Sequence, residues 1–193
     1  MRKKFVYNII IFLVFFSFIS IVIAADFPAP FVMNGNADVA IIHGGENAAY
    51  SDLVAVTDII SALSAEFARQ GGIGSLGSIV VSDSETSSVA GKNWIVVGNS
   101  CDNRVAASLL GSNSPLCGEE FSAKTGIASG QFLIETFSRP GGRIATLVAG
   151  YYPYDTTNAV KFLLTQTVEI TIGKRYVGTS TAKIETVKVI RGD

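Results

Sequence analysis

The residues that could do chemistry in this chain are few, and the first of them is its single histidine. His43 follows an apolar run at residues 39–42, at the end of a predicted strand, where open α/β sheets tend to bind ligands. Hydrolases of that architecture place a nucleophile on a sharp G-x-S-x-G turn, and the sequence contains no such motif. We therefore expect a structural histidine, and the alternative is a catalytic base.

Two glycine-containing segments could bind phosphate or another anion. Residues 72–77 read GIGSLG and fit the dinucleotide-binding pattern G-x-G-x-x-G, whose mechanism needs a strand before it and a helix after it. Here the predicted order is reversed, which favours a flexible turn. Residues 98–100 lie between a predicted strand and a predicted helix, where free backbone N–H groups could hold an anion. A tight turn with a helix cap is the other interpretation.

Three acidic residues are the candidates for a cation site, namely Asp83, Glu85 and Asp155. Hard divalent ions such as calcium take carboxylate oxygens, so the three side chains could bind one if the fold brings them together. Solvated loop carboxylates are the alternative. One histidine excludes a multi-histidine metal site, and we expect neither a catalytic residue nor another cofactor.

The N-terminal segment predicts export. Basic residues at positions 2–4 precede an apolar stretch at residues 9–23, and Ala24 supplies the small residue found before a signal-peptidase cut. Residues 1–24 are therefore predicted to be a signal peptide, with an uncleaved membrane anchor as the alternative. Removing the three basic residues of this leader leaves 12 basic against 16 acidic residues, a net charge of −4. Such an acidic domain is not expected to bind nucleic acid.

The two cysteines then have a specific interpretation. Cys101 and Cys117 are 16 positions apart, and in an exported domain they are expected to form a disulfide. Closing a loop of that size stabilises the fold by about 3 kcal/mol in the chain-entropy model. A pair of buried free thiols and a catalytic cysteine are the alternatives.

Residues 25–193 have the length of a single domain and alternate between short apolar runs and helical stripes. The predicted buried strands are residues 39–42, 79–81 and 94–97. A hairpin is predicted from two strand-like runs that flank a loop at residues 138–142, and further strands follow at residues 168–172 and 179–190.

Helices are predicted between these strands. Their expected N-caps are Ser51 for the first, Ser100 or Asp102 for the second, and Asp155 for the third. The β-α order, repeated three times, predicts a three-layer, Rossmann-like α/β domain with a mostly parallel sheet, one β-hairpin and a C-terminal β extension.

Several segments, in order along residues 27–164, together carry a resemblance to a known family. They are residues 26–32 (DFPAPFV), 38–42 (DVAII) with the helix start at 51–52, 83–85 (DSE), 92–103 (KNWIVVGNSCDN), and 148–151 (VAGY) with 155–157 and Ala159. These segments resemble the α/β domain of archaeal S-layer proteins. That family has an Asn-Leu-Ile-Val-Val-Gly-Gly-Pro-Cys-x-Asn stretch, an Asp-Thr-Glu element, and a Val-Ala-Gly-Tyr sequence that leads into a helix.

The resemblance implies a structural role without catalysis. Subunits of that family are exported and tile into a paracrystalline coat, so the implied partners are further copies of this chain or other S-layer subunits. This chain departs from the family at Asn99-Ser100, where the family has Gly-Pro, and it is shorter than full-size S-layer proteins. It would be a short member, and its contact with a membrane would run only through the N-terminal segment if that segment stays uncleaved.

A second hypothesis comes from another functional class. A secreted or membrane-anchored ligand-binding domain or hydrolase would use the cleft at the strand ends near His43, Gly98 and Tyr151. Tyr151, Tyr152 and Tyr154 form an aromatic group that is either a contact patch or core packing at a strand-to-helix corner.

Overall fold

The computed structural model describes residues 25–179 and 188–191, so the predicted leader lies outside the described residues. The strands are β1 (Val32–Met33), β2 (Asn36–Ala37), β3 (Val39–His43), β4 (Val80–Ser82), β5 (Asn93–Val97), β6 (Gln131–Arg139), β7 (Arg143–Gly150), β8 (Lys174–Thr179) and β9 (Lys188–Arg191). The α-helices are α1 (Tyr50–Arg69), α2 (Arg104–Leu109), α3 (Glu119–Thr125) and α4 (Pro153–Thr165).

The main sheet has seven described strands in the order β4-β3-β5-β7-β6-β8-β9. Neighbours from β4 to β7 pair in parallel, and β6, β8 and β9 continue the sheet in antiparallel pairing. Five of the seven strands therefore run in one direction. The predicted mostly parallel sheet with one hairpin, β6–β7, and a C-terminal β extension is confirmed.

Helices cover both faces of this sheet because successive strand side chains point to opposite faces. Val39 and Ile41 belong to the core under α1 and α4, whereas Ala40 and Ile42 belong to the core under α2 and α3. The predicted three-layer architecture is confirmed.

The helix N-termini differ from the predictions. Helix α1 begins at Tyr50, so its N-cap is Ala49, two residues before the predicted cap Ser51, and no side chain caps the helix. Helix α2 is capped by Asn103 rather than by Ser100 or Asp102, because the Asn103 side chain accepts hydrogen bonds from two backbone N–H groups of the first turn. Asp155 lies in the first turn of α4, where its carboxylate accepts from the backbone N–H of Tyr152 at 3.1 Å.

The chain after α4 also differs from the prediction. Residues 168–172 form no strand of the main sheet, and their one bridge joins Glu169 to Asp26. Val168 and Ile170 face the core, so the stretch has a strand-like pattern, but it pairs with residues 25–27 instead of the sheet. The predicted strand at residues 179–190 lies largely outside the described residues, with β9 at its end.

Two features were not predicted. Helix α3 lies in the loop region before β6, and a small hairpin joins β1 to β2 through Asn34-Gly35. Both turn residues have positive φ, 54° and 73°, which is the conformation that a two-residue Asn-Gly turn provides. The sequence contained this signal.

The predicted disulfide between Cys101 and Cys117 is present. It encloses α2, and both cysteines lie at the surface. A second link runs beside it, because the Ser100 hydroxyl donates to the carbonyl oxygen of Leu116 at 2.8 Å. A disulfide of this kind is consistent with an oxidising environment.

Removing the disulfide should destabilise the domain by about 3 kcal/mol, because the unfolded chain regains the entropy of an open loop. The double variant C101S/C117S, compared with the oxidised protein by urea unfolding, measures this loss. A reducing agent should lower the stability of the wild-type protein and leave that of the variant unchanged. Equal stability of the two oxidised proteins would contradict the prediction.

Candidate functional site

The candidate site is the carboxyl edge of the parallel strands. Open α/β sheets bind ligands where consecutive connections leave the sheet toward opposite faces. Here β3 leads to α1 on one face and β5 leads to α2 on the other, so this point lies between β3 and β5. The loops after these two strands therefore decide whether the edge can hold a ligand.

Asn103 occupies the space between the two strand ends. Its amide nitrogen donates to the carbonyl oxygens of Val97, at 3.0 Å, and of Ile42, at 3.4 Å. Its amide oxygen accepts from the backbone N–H groups of Val105 and Ala106. The side chain is 1% exposed and joins β3, β5 and α2.

The two loops also touch directly. A Cβ atom placed on Gly44, after β3, would lie 2.1 Å from the carbonyl oxygen of Asp102, after β5. No residue larger than glycine fits at position 44 without moving the backbone. The crevice between β3 and β5 is filled by the protein's own atoms.

The residues of the predicted anion loop make bonds within the protein. The Asn99 side chain accepts from the backbone N–H of Cys101 at 2.9 Å and donates to the carbonyl oxygen of Tyr151 at 3.3 Å. Gly98 adopts φ 103° and donates its N–H to Val148. This segment forms a tight turn that links the ends of β5 and β7.

His43 lies at the end of β3, as predicted. Its Nδ1 accepts a hydrogen bond from the backbone N–H of Gly45 at 3.1 Å, and its carbonyl oxygen accepts from the N–H of Asp83 at 2.8 Å. Both contacts hold the turn after β3. The histidine thus has a structural partner on one ring nitrogen.

The structure gives protein partners to each of the three predicted cation ligands. Asp83 accepts from the backbone and the guanidinium of Arg104. Burial acts to raise the pKa of Asp83, but its hydrogen bonds and ion pair with Arg104 outweigh that effect and lower it. Glu85 accepts from the Ser82 hydroxyl at 3.0 Å and lies near the Ser82 N–H at 3.4 Å.

The carboxylate of Asp155 accepts from the backbone N–H of Tyr152, the N-cap residue of α4. Within residues 25–179, no group of three or more His, Cys, Asp or Glu side chains has the arrangement of a metal site. Asp83, Glu85 and Asp155 therefore do not form the single cluster that the cation hypothesis required.

The most unusual acid at this edge was not among the residues predicted from the sequence. Asp52, in the first turn of α1, is 2% exposed. Burial raises its pKa to about 7, the negative charge of Asp102 adds to the rise, and a hydrogen bond with Thr156 opposes it. Burial also raises the pKa of Asp102. Asp52 precedes Ala55 and Val56 by three and four positions, so its place on the buried stripe of α1 was the available signal.

An open groove lies elsewhere, on the face covered by α2. Its volume is about 880 Å³, and it runs from Asp83 and Arg104 along α2 to Trp94 and Phe137. Arg139 lies over the Trp94 ring, 3.0 Å from its centroid. The Arg139 guanidinium also donates to the carbonyl oxygen of Lys92 at 2.6 Å, so both groups are engaged within the protein.

The three tyrosines after β7 do not share one role: the two predicted alternatives were core packing and a surface contact patch. Tyr151 packs against the core beneath α2 and α3 and meets Tyr152 edge to face, with ring centroids 4.8 Å apart. Tyr152 and Tyr154 are 54% and 65% exposed. One tyrosine therefore contributes to packing, and two lie at the surface.

Comparison with known proteins gives no family for this chain: no protein-family model matches it, and no curated protein matches it significantly. In the part of the chain that the structure describes, no helix has the length and apolar character needed to span a membrane.

Asp52→Asn should change how stability depends on pH. The folded-state pKa of Asp52 is about 7 and its ordinary value is 3.8, so the wild-type protein loses stability as pH rises from about 4 through about 7. The full difference is on the order of 4 kcal/mol. Asparagine carries no titrating proton, so the stability of the variant relative to wild type should rise across this interval in cation-free buffer.

Urea unfolding at several pH values measures this difference. Asp58→Asn, on the exposed face of the same helix, is the matched control and should follow the wild-type curve. Parallel pH profiles for wild type and the Asp52 variant would contradict the prediction.

Proposed function

We propose that this protein is a structural cell-surface protein, a short S-layer-like component that assembles through protein–protein contacts and has no catalytic activity. The observation that carries the proposal is the closed crevice between β3 and β5. Asn103 fills the position where ligands of this fold class usually bind, and Gly44 leaves no room beside Asp102. The domain therefore resembles a rigid scaffold more than a binding cleft.

Three further features support an exported coat component. The disulfide links the loops at the carboxyl edge and is consistent with an oxidising environment. The N-terminal sequence has the pattern of a signal peptide. The ordered similarity of residues 27–164 to the α/β domain of archaeal S-layer proteins supports assembly with further copies or related subunits.

The two sheet edges differ in their suitability for assembly. Strand β4 has three residues, and Glu85 folds back on it, accepting from the Ser82 hydroxyl while its own N–H donates to the Ser82 carbonyl. Such capping prevents another strand from adding there. Strand β8 is paired on both sides, so the other described edge is β9. Among the described residues, the surface available for strand addition is therefore the outer edge of β9.

The alternative function is a secreted or membrane-anchored ligand-binding protein or hydrolase. The residues first considered for it, His43, Gly98 and Tyr151, are engaged in turns and packing. The groove beside α2 is the observation that favours ligand binding, because its volume lies within the usual range of about 300–1,000 Å³. Each of its charged lining residues is already engaged within the protein, Asp83 with Arg104 and Arg139 with Trp94 and the Lys92 carbonyl. This makes it the weaker candidate.

Light scattering and negative-stain electron microscopy of the purified protein test the coat hypothesis. We expect ordered sheets or large oligomers. Proline removes a backbone N–H, and N–H groups alternate in direction along a strand, so one of the variants Val189→Pro and Ile190→Pro should block the outer edge while keeping the pairing with β8.

The variant that keeps the wild-type circular dichroism spectrum should lose assembly. Ser114→Pro, in an exposed loop, serves as a control for the substitution itself and should still assemble. A wild-type protein that remains monomeric under all conditions, or unchanged assembly of the β9 variant that keeps its fold, would contradict assembly through this edge.

A further inference from the structure

The exposed large apolar side chains of the described residues are concentrated at one end of the domain. Of eight such side chains, the five at the starts of α1 and α4 are Tyr50, Leu53, Val54, Tyr152 and Tyr154. Both helices follow parallel strands and pack on the same face of the sheet, so their first turns lie together at the carboxyl edge. These five residues are the carboxyl-end patch. Groups of exposed apolar side chains mark contact surfaces, in which tyrosine is enriched.

A second apolar group lies at the opposite end of α1. Met33, beside the turn of the β1–β2 hairpin, is exposed, and Ile73, just after α1, is 96% exposed. The two segments are neighbours, because a Cβ atom placed on Gly35 would lie 3.0 Å from the carbonyl oxygen of Gln70. Met33 and Ile73 are the amino-end patch. The 20 residues of α1 separate the two patches by about 30 Å.

Acidic side chains lie at the same end as the carboxyl-end patch. Glu46 is exposed in the turn between β3 and α1. Glu119 and Glu120 are exposed at the start of α3, which the disulfide ties to the loop after β5. None of these three glutamates has an ion pair within the described residues, and Arg104 at this end is paired with Asp83. The carboxyl end is therefore negatively charged.

Basic side chains gather at the amino end of the domain. Lys92, Arg139 and Arg143 lie where β5, β6 and β7 meet this edge, together with one acid, Asp38. Arg143 pairs with Asp38, and Nζ of Lys92 lies 4.0 Å from the same carboxylate. The other charged residues near the amino-end patch are one ion pair and one acid, namely Arg69 with Glu66, and Asp26. The amino end therefore keeps a net positive charge.

We propose that copies of this chain associate end to end, with the carboxyl-end patch of one copy against the amino-end patch of the next. In this arrangement apolar side chains meet apolar ones and the acidic end meets the basic end, whereas pairing two carboxyl ends would bring like charges together. Such a contact is heterologous and leaves one patch uncovered at each end, so further copies can add. The inference rests on the proposed coat function, for which it names the partner and the surface.

The end-to-end contact differs in direction from strand addition at β9. Strand addition extends an assembly across the strands of the sheet, whereas the end-to-end contact extends it along α1. A layer that covers a surface needs contacts in two directions, and these two contacts together supply them. Loss of either contact would therefore disrupt an ordered layer.

Cross-linking of the purified protein with a short bis-maleimide tests this contact. The two native cysteines form the disulfide, so the reagent reacts only with introduced thiols. The variants Tyr154→Cys and Ile73→Cys change exposed side chains and should keep the wild-type circular dichroism spectrum. In an equimolar mixture, with an affinity tag on one variant, the reagent should link residue 154 of one copy to residue 73 of another. Tyr50→Cys, at an 82% exposed position, replaces the Tyr154 variant if that variant misfolds.

The control mixture is Ser61→Cys with Ile73→Cys, because Ser61 is exposed midway along α1 and lies in neither patch. Contact between the patches raises the local concentration of the two thiols from micromolar to about millimolar, so the mixed dimer should exceed that of the control by at least about tenfold. Equal yields in the two mixtures would overturn the proposal. Dimers formed mainly by Tyr154→Cys alone would also overturn it, because two carboxyl-end patches would then face each other.

This test and the test of the coat function can fail separately. An ordered layer of wild-type protein without an excess of the mixed dimer would contradict the end-to-end contact and keep the coat function. The mixed dimer in a protein that forms no ordered layer would support the contact and count against the coat function.

Discussion

The side chain of Asn103 is the contact on which the carboxyl edge of this domain depends. Its amide group bonds to the carbonyl oxygens of Ile42, one residue before the end of β3, and of Val97, the last residue of β5, and it caps α2. One buried residue therefore fixes two strand ends and a helix start. An unsatisfied buried backbone group costs about 1–3 kcal/mol, and a lost helix cap costs about 1 kcal/mol. Few residues can fill this position, since both an acceptor and a two-hydrogen donor are required. The same hydrogen bonds of Asn103 therefore close the crevice and hold the ends of β3 and β5 together.

The remaining loops at this edge reinforce that closure. The disulfide and the Ser100–Leu116 bond fix the chain after β5, and Asn99 ties the same chain to the end of β7. Asp83 bonds to Arg104 and to the end of β3, which joins the outer strand β4 to the start of α2. Four parallel strands thus end in one network of short links. This arrangement suits a protein whose surface must keep its shape while it contacts neighbours, and it leaves Asp52 buried at the centre of the edge.

Much of the fold could be predicted from the sequence, because hydrophobic periodicity depends mainly on which face of an element is buried. The apolar runs at residues 39–42 and 94–97 became central strands, and the stripe of α1 became the core of one layer. The N-terminal ends of the helices were less predictable, since several adjacent residues can cap a helix. Asn103 caps α2 because its side chain also bonds to the ends of β3 and β5, which are distant in sequence or in another element. The strand predicted for the main sheet at residues 168–172 was wrong for a related reason. Alternation of apolar and polar residues shows which side chains are buried but does not show which strand is the pairing partner. These residues pair with residues 25–27.

The candidate site was less predictable than the fold. Three acidic residues, Asp83, Glu85 and Asp155, were predicted as candidate cation ligands. Each of them accepts a hydrogen bond from a donor that the fold brings within reach. Asp52 lies in the first turn of α1, and its burial follows from the packing of α1 against α4 and the turn at Gly98. Immunogold electron microscopy of thin-sectioned cells, with antibody against residues of the folded domain, tests the central claim most directly. A structural coat protein predicts dense, regularly spaced label on the outer surface, whereas label confined to the cell interior would contradict it.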